Sequence, residues 1–184
     1  QLFSVALELC ITWLNRVLFL KLLEGQLVTY HKNDKSYRFL NESRIKDFDE
    51  LNELFFEVLA VGHDLRSPGI DEKYKNIPYL NSSLFEETDL ERRTITIAEL
   101  KDRFTIPLHK NTVLKNDAGS KQTGSKSTLS YLFEFLDAYD FSSENKSIIQ
   151  ESNKTIINSS VLGLIFEKLN GYKEGSIFTP GFCT

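Results

Sequence analysis

A threonine set directly before a proline is the side chain in this 184-residue sequence best suited by type and neighbours to hold a polar ligand. In Phe178-Thr179-Pro180 the proline ring drives the preceding residue out of the helical region, so the Thr179 hydroxyl and carbonyl point in nearly fixed directions. Taken by themselves, Thr179, Pro180 and Gly181 also read as an ordinary turn. A second group interleaves cations with aromatic rings between Tyr30 and Arg38, in a polar loop or hairpin with an Asn33-Asp34 turn. Here Lys32, Lys35 and Arg38 can neutralise a DNA phosphate backbone, flanked by Tyr30 or Tyr37; a solvated charged turn is the plain alternative. Gly119 and Gly124 have the offset of a phosphate-binding loop, but Ser125 stands where lysine is required and Lys126 comes one place late. Nucleotide binding is therefore rejected. His31, His63 and His109 are scattered, with no Cys or His partner at ligand spacing, so no metal site is expected.

The segment VLGLIFEKLNGYKEGSIFTPGF resembles the cofactor-side entry motif of adenine-specific DNA amino-methyltransferases: a Leu-Gly-x-Ile-Phe/Tyr-Glu helix followed by Gly-x-Phe/Tyr-Thr-Pro. More closely, it is similar to the single-chain type IIG restriction-modification enzymes, as are the upstream phrases ITWLNRVLFLKLLE, LNELFFEVLAV, IPYLNSSLFE and LFEFLDAYDF. One departure is that Ser176 and Ile177 put two residues between Gly175 and Phe178, where the family has one. The resemblance implies Phe178, Thr179 and Pro180 as positions facing S-adenosylmethionine in a parent enzyme that methylates adenine in double-stranded DNA, with the methyltransferase domain downstream. The Asn/Asp-Pro-Pro-Tyr/Phe catalytic motif and the glycine-rich cofactor turn are both missing from this stretch, so no catalytic residue is assigned. Isolated, it is expected to bind no cofactor. Family members also carry a metal-dependent nuclease, whose final strand Thr94–Ala98 with Glu99-x-Lys101 imitates, Asp89 or Asp71 being the distant carboxylate. No Pro-Asp precedes that Glu-x-Lys, and magnesium is expected only if the parent carries a nuclease domain elsewhere.

These groups need elements to hold them. Leu2 to Leu23 is apolar around most of a helical circumference, with Ser4, Glu8, Thr12, Asn15 and Arg16 as a polar stripe. Its charges fall within any span of membrane length, so it reads as a central core helix anchored by Trp13 and Phe19. Glu8 and Arg16 either pair with another helix or face solvent. Asp47 opens a second helix whose apolar face runs from Phe48 to Leu59, ending near Gly62. His63 to Lys75 reads as a loop, and in the stretch 76–86 Tyr79, Leu80, Leu84 and Phe85 are expected to plug the core. Thr94–Ala98, Phe104–Leu108 and Thr112–Leu114 are β-rich, followed by a flexible Gly/Ser/Lys-rich loop from Asn116 to Ser127. Thr128 to Tyr139 resumes as an amphipathic helix, and Asp140 to Lys154 is a polar connection. A short buried helix follows, with Asn158 to Ser160 as cap types and Val161, Leu162, Ile165, Phe166 and Leu169 inward; Asn170 and Gly171 are expected to stop it.

The fold class is accordingly mainly α, a helical domain with a small β-hairpin or sheet insertion at about 94–114. Residues 1–140 form the helical connector, and 141–184 the linker, helix and loop that begin a methyltransferase domain. The length suits one core. A net charge of −4 gives no overall attraction to nucleic acid, so any DNA contact must be local. Cys10 and Cys183 lie far apart, which fits reduced thiols and a cytoplasmic location, with no membrane partner. The chain has no Met, opens inside an apolar run and ends inside a motif, and so reads as a fragment. A stand-alone helical protein-interaction module is the alternative.

Overall fold

The computed structural model describes residues 2–141, 154–157 and 159–173. The architecture is mainly α with a small antiparallel hairpin, as the sequence predicts. Helix α1 runs from Leu2 to Tyr30, well past Gly25. That glycine does not end the helix because it serves packing: a Cβ there would lie 2.5 Å from the carbonyl oxygen of Phe141. Phe141 thus closes directly onto α1.

Helix α2, Phe48–Glu53, begins where Asp47 accepts a hydrogen bond from Glu50 N, and a π-helical turn over Leu54–Leu59 continues it. Between them they bury Phe48, Leu51, Leu54, Phe55, Val58 and Leu59 against Leu9, Trp13, Val17 and Leu20 of α1. The wide π turn leaves carbonyls without partners inside the helix, and the buried Arg66 guanidinium donates to Val58 O, Val61 O and Ile77 O. The expected loop at 63–75 contains helix α3, Pro68–Lys73, with proline at its first turn, where the missing N–H costs nothing. Of the four residues expected to plug the core, Phe85 does so fully and Leu80 and Leu84 partly; Tyr79 is 44 % exposed, and Ile77 takes its place.

Helix α4, Asp89–Arg93, starts with a full capping box between Thr88 and Glu91. The strand expected at Thr94–Ala98 is absent. Thr96 and Glu99 form another capping box around a single 3-10 turn, Ile97–Glu99, and that local bonding outcompetes β-propensity. Strand β1, Thr105–Pro107, pairs antiparallel with β2, Ser125–Ser127, so the supposed loop supplies the second strand and Thr112–Leu114 does not. Helix α5, Thr128–Asp137, is capped by Ser127 and buries Leu129, Phe133 and Leu136. Strands β3, Tyr139–Asp140, and β4, Thr155–Ile156, pair in parallel. Helix α6, Ser159–Lys173, packs on α1 through Leu162 and a bond from Asn15 Nδ2 to Asn170 Oδ1 at 3.1 Å. It continues through Gly171 rather than stopping there. It is also only half buried, with Val161 on the exposed side.

By length and composition α1 could cross a membrane. Its mid-helix charges are instead engaged by the rest of the protein. The Arg16 side chain has no exposure, and its guanidinium donates to Glu91 Oε1 at 2.5 Å, Glu91 Oε2 at 2.9 Å, Leu84 O and Glu86 O. Glu91 also accepts from Trp13 Nε1 at 2.8 Å, and the Arg16 guanidinium lies 5.0 Å from the Phe56 ring centroid. The solvated-stripe alternative for Arg16 is thereby replaced by a buried pair. Burial by itself would raise the Glu91 carboxyl, but hydrogen bonds from Arg16, Thr88 N–H and Trp13 outweigh it and hold the group down to about 2.

Candidate nucleic-acid interface

Where α1 ends, the chain reverses through a hydrogen-bond pattern that normally requires glycine. Asn33 N donates to Val28 O at 2.8 Å and Lys32 N to Thr29 O at 3.2 Å, the paired bonds of a Schellman closure. Lys32 and Asn33 take φ of 57° and 64°. Asparagine tolerates that region, but lysine there carries a cost of about 1 kcal/mol from its Cβ. The strained backbone swings the Lys32 side chain outward. Asp34 then caps a 3-10 turn, Lys35–Tyr37, by accepting from Ser36 N at 2.8 Å, and that backbone hydrogen bond holds its carboxyl below the usual range.

The turn is braced by aromatic stacking. The His31 and Tyr37 rings are parallel to within 5° with centroids 3.8 Å apart, and Tyr30 meets His31 edge-on while staying 82 % exposed. Residues three apart in a 3-10 turn share a side, so Lys35 and Arg38 lie on one flank. The Lys32 and Lys35 side chains are exposed and have no hydrogen bond or ion pair among the described residues. Arg38 is different. Its Nη2 donates to Asp137 Oδ1 at 2.6 Å, and its Nε is 4.0 Å from Glu24 Oε1. Asp137 also receives Lys21 Nζ at 2.6 Å, and the buried Glu24 carboxylate accepts from Lys21 Nζ, Phe39 N and Leu40 N.

Glu24 thus fixes the chain immediately after the turn. Arg44 fixes the far side, donating to Ser36 O at 3.3 Å and Lys73 O at 3.2 Å. The sequence offered no sign of Arg44, because its partners are backbone carbonyls 8 and 29 residues away. The result is a rigid basic and aromatic tip at one end of α1, with two unpaired ammonium groups and one shared guanidinium.

The other candidates separate. Glu99 is occupied as the cap of Thr96, accepting from Thr96 N at 2.9 Å, and it sits on a 3-10 turn instead of a strand beside Lys101. Asp71 binds His63 Nδ1 at 2.8 Å, and Asp89 pairs with Arg92. Among the described residues no three His, Cys, Asp or Glu side chains could hold a metal ion. Gly119 and Gly124, at φ 79° and 97°, shape the hairpin and do not precede a helix as a phosphate loop would. Phe178, Thr179 and Pro180 lie outside the described residues.

The sequence profile of a domain of unknown function, DUF7814, matches residues 1–157. The chain belongs to that family. This DUF7814 chain is also 26 % identical, over 189 aligned positions, to a putative type II restriction enzyme and methyltransferase of Methanocaldococcus jannaschii. The alignment covers 93 % of this chain and 13 % of the relative, so the chain spans about an eighth of that protein's length. No solved structure matches it.

Proposed function

We propose that this DUF7814 chain is the helical connector of a type IIG-like restriction-modification polypeptide, followed by an S-adenosylmethionine-dependent adenine methyltransferase domain. The observation that carries the reading is the alignment, which takes in nearly all of this chain and a small share of a relative named for both restriction and methylation. The shape suits a spacer. At 1.5 Å per residue, the 29 residues of α1 make a rod about 43 Å long, with the basic tip at one end and α6 packed along it. In this reading 1–140 sets the distance between functional domains, and 141–184 leads into the methyltransferase. Phe178, Thr179 and Pro180 line one wall of the cofactor pocket, while Lys32, Lys35 and Arg38 touch the phosphate backbone of double-stranded DNA. Magnesium enters only with a nuclease domain of the parent. The internal pairing of the α1 charges supports a core helix and a cytoplasmic enzyme with no membrane partner.

Equilibrium binding of S-adenosylmethionine to a protein that includes the downstream domain tests the cofactor wall. Thr179→Ala is expected to weaken binding about tenfold, the loss of one hydrogen bond of roughly 1.4 kcal/mol. Unchanged affinity would sink the assignment. A stand-alone interaction module is the second reading, favoured by Leu2 and Phe3, which are 85 % and 79 % exposed. A reading frame that stops at or near Thr184 selects it over the connector.

A further inference from the structure

The hairpin that joins α4 to α5 carries a charge opposite to that of the whole molecule. Between residues 101 and 127 there are six Lys or Arg and two Asp, in a chain of net charge −4. One of those acids is turned away: the Asp102 carboxylate accepts from Phe48 N at 2.9 Å, at the start of α2. One of the cations, Lys126, is paired with Glu134 of α5. Lys101, Arg103, Lys110, Lys115 and Lys121 are all exposed, and none has an ion pair among the described residues.

The backbone gathers them. Beyond the β1–β2 ladder the ribbon is extended by Leu108 N to Gly124 O at 2.8 Å, Gln122 N to Leu114 O at 2.9 Å and Asn116 N to Ser120 O at 2.8 Å. Lys115 and Lys121 are directly opposite each other in an isolated antiparallel bridge. Like charges at such a position are destabilising, and no carboxylate is interposed. Lys121 Nζ reaches back to Lys110 O at 3.4 Å, which brings a third lysine to the same end. Buried Thr112 and Leu114 anchor the ribbon from beneath, so the lysines are held outward on a framed element.

We infer that this ribbon is a second nucleic-acid contact, with Lys110, Lys115 and Lys121 seated on the phosphates of a DNA duplex. Three features select that partner. Lysines, as point charges on flexible stems, suit a line of phosphates, whereas carboxylate recognition favours the arginine fork. The turn at 116–124 has no large apolar residue to enter a bilayer. Phe104 is a solitary exposed ring, 60 % exposed beneath the Arg103 guanidinium, not the row of rings on which a single strand would stack. A two-stranded ribbon also fits the major groove in width. The inference goes beyond the connector reading and does not depend on the methyltransferase assignment.

The test is binding of the 184-residue chain to a fluorescent duplex across a salt series, beside the variant Lys110→Gln/Lys115→Gln/Lys121→Gln. The log of the native affinity is expected to fall linearly with log salt concentration, and the triple variant to flatten that slope by about 2.7, near 0.9 per lost phosphate contact. Affinity at moderate salt should fall on the order of tenfold or more, and Lys→Arg at the same three positions should restore it. Matching denaturation midpoints establish that the Gln variant is folded. A native chain that ignores the duplex, a triple variant with the native slope, or equal binding to anionic vesicles overturns the inference. If Lys32→Gln/Lys35→Gln removes all binding and the ribbon variant none, the contact belongs to the α1 tip alone. Neither result bears on Thr179 and the cofactor wall.

Discussion

Charge is used in opposite ways at the two ends of α4. On its inner side the Arg16–Glu91 pair is withdrawn from water, and every polar atom of the carboxylate is matched by Arg16, Trp13 or Thr88. Beyond its C-terminus the ribbon sets Lys115 against Lys121 with nothing between them. The buried group acts on the fold, because removing either partner leaves an uncompensated charge in a medium that cannot solvate it. The exposed group contributes nothing to the fold, and its mutual repulsion is relieved only by an anion from outside. Ion pairs therefore mark structure here, and unpaired cations mark the surfaces open to a partner.

Three measurements break or sharpen that contrast. The largest effect is expected from Glu91→Ala, which strands the Arg16 guanidinium and should cost about 3–5 kcal/mol in chemical denaturation. The combined Arg16→Met/Glu91→Leu variant should recover most of the loss. If the single and double variants are equally unstable, packing and not charge holds this region together.

The second effect is a pH dependence. Glu91 is held near 2 in the folded chain against an ordinary 4.5. The folded value is the lower one, so the unfolded state takes up the proton first as pH falls. The stabilisation is complete above about pH 5 and disappears toward pH 2, about 3 kcal/mol in all. Denaturation midpoints across that range should show this loss in the native chain and lack the Glu91 share in the double variant. The smallest effect is the most telling for the ribbon. Lys110→Gln/Lys115→Gln/Lys121→Gln should change stability by less than about 0.5 kcal/mol, in the stabilising direction. A loss of 2 kcal/mol or more would mean that those lysines are structural.

Much of the helical framework was legible because it is written in local periodicity. The apolar spacing of α1, of α2 with its π turn, and of α5 predicts these helices within a few residues, and Asp47 marks the start of α2. Errors arose where a residue type has two uses. Gly25 looked like a stop but is an opening for Phe141, and Gly171 lies inside α6. Thr94–Ala98 has β-branched residues, yet Glu99 three places after Thr96 settles a 3-10 turn. The candidate tip was half legible: Lys32, Lys35 and Arg38 stood out as a cluster, but the stacking of His31 on Tyr37 and the bracing by Glu24 and Arg44 did not.

The sequence by itself determined the fold class, the apolar faces of the principal helices and the two places where cations crowd together. Only the tertiary structure decided which of those cations are free. Arg16 and Lys21 lie in an apolar run and Lys115 in a polar one, yet nothing local distinguishes a paired charge from an unpaired one. Glu91, 75 residues from Arg16, and Asp137, 116 residues from Lys21, supply the partners. Ion pairing depends on distances of a few ångströms, and those are set by how the helices pack, not by separation along the chain.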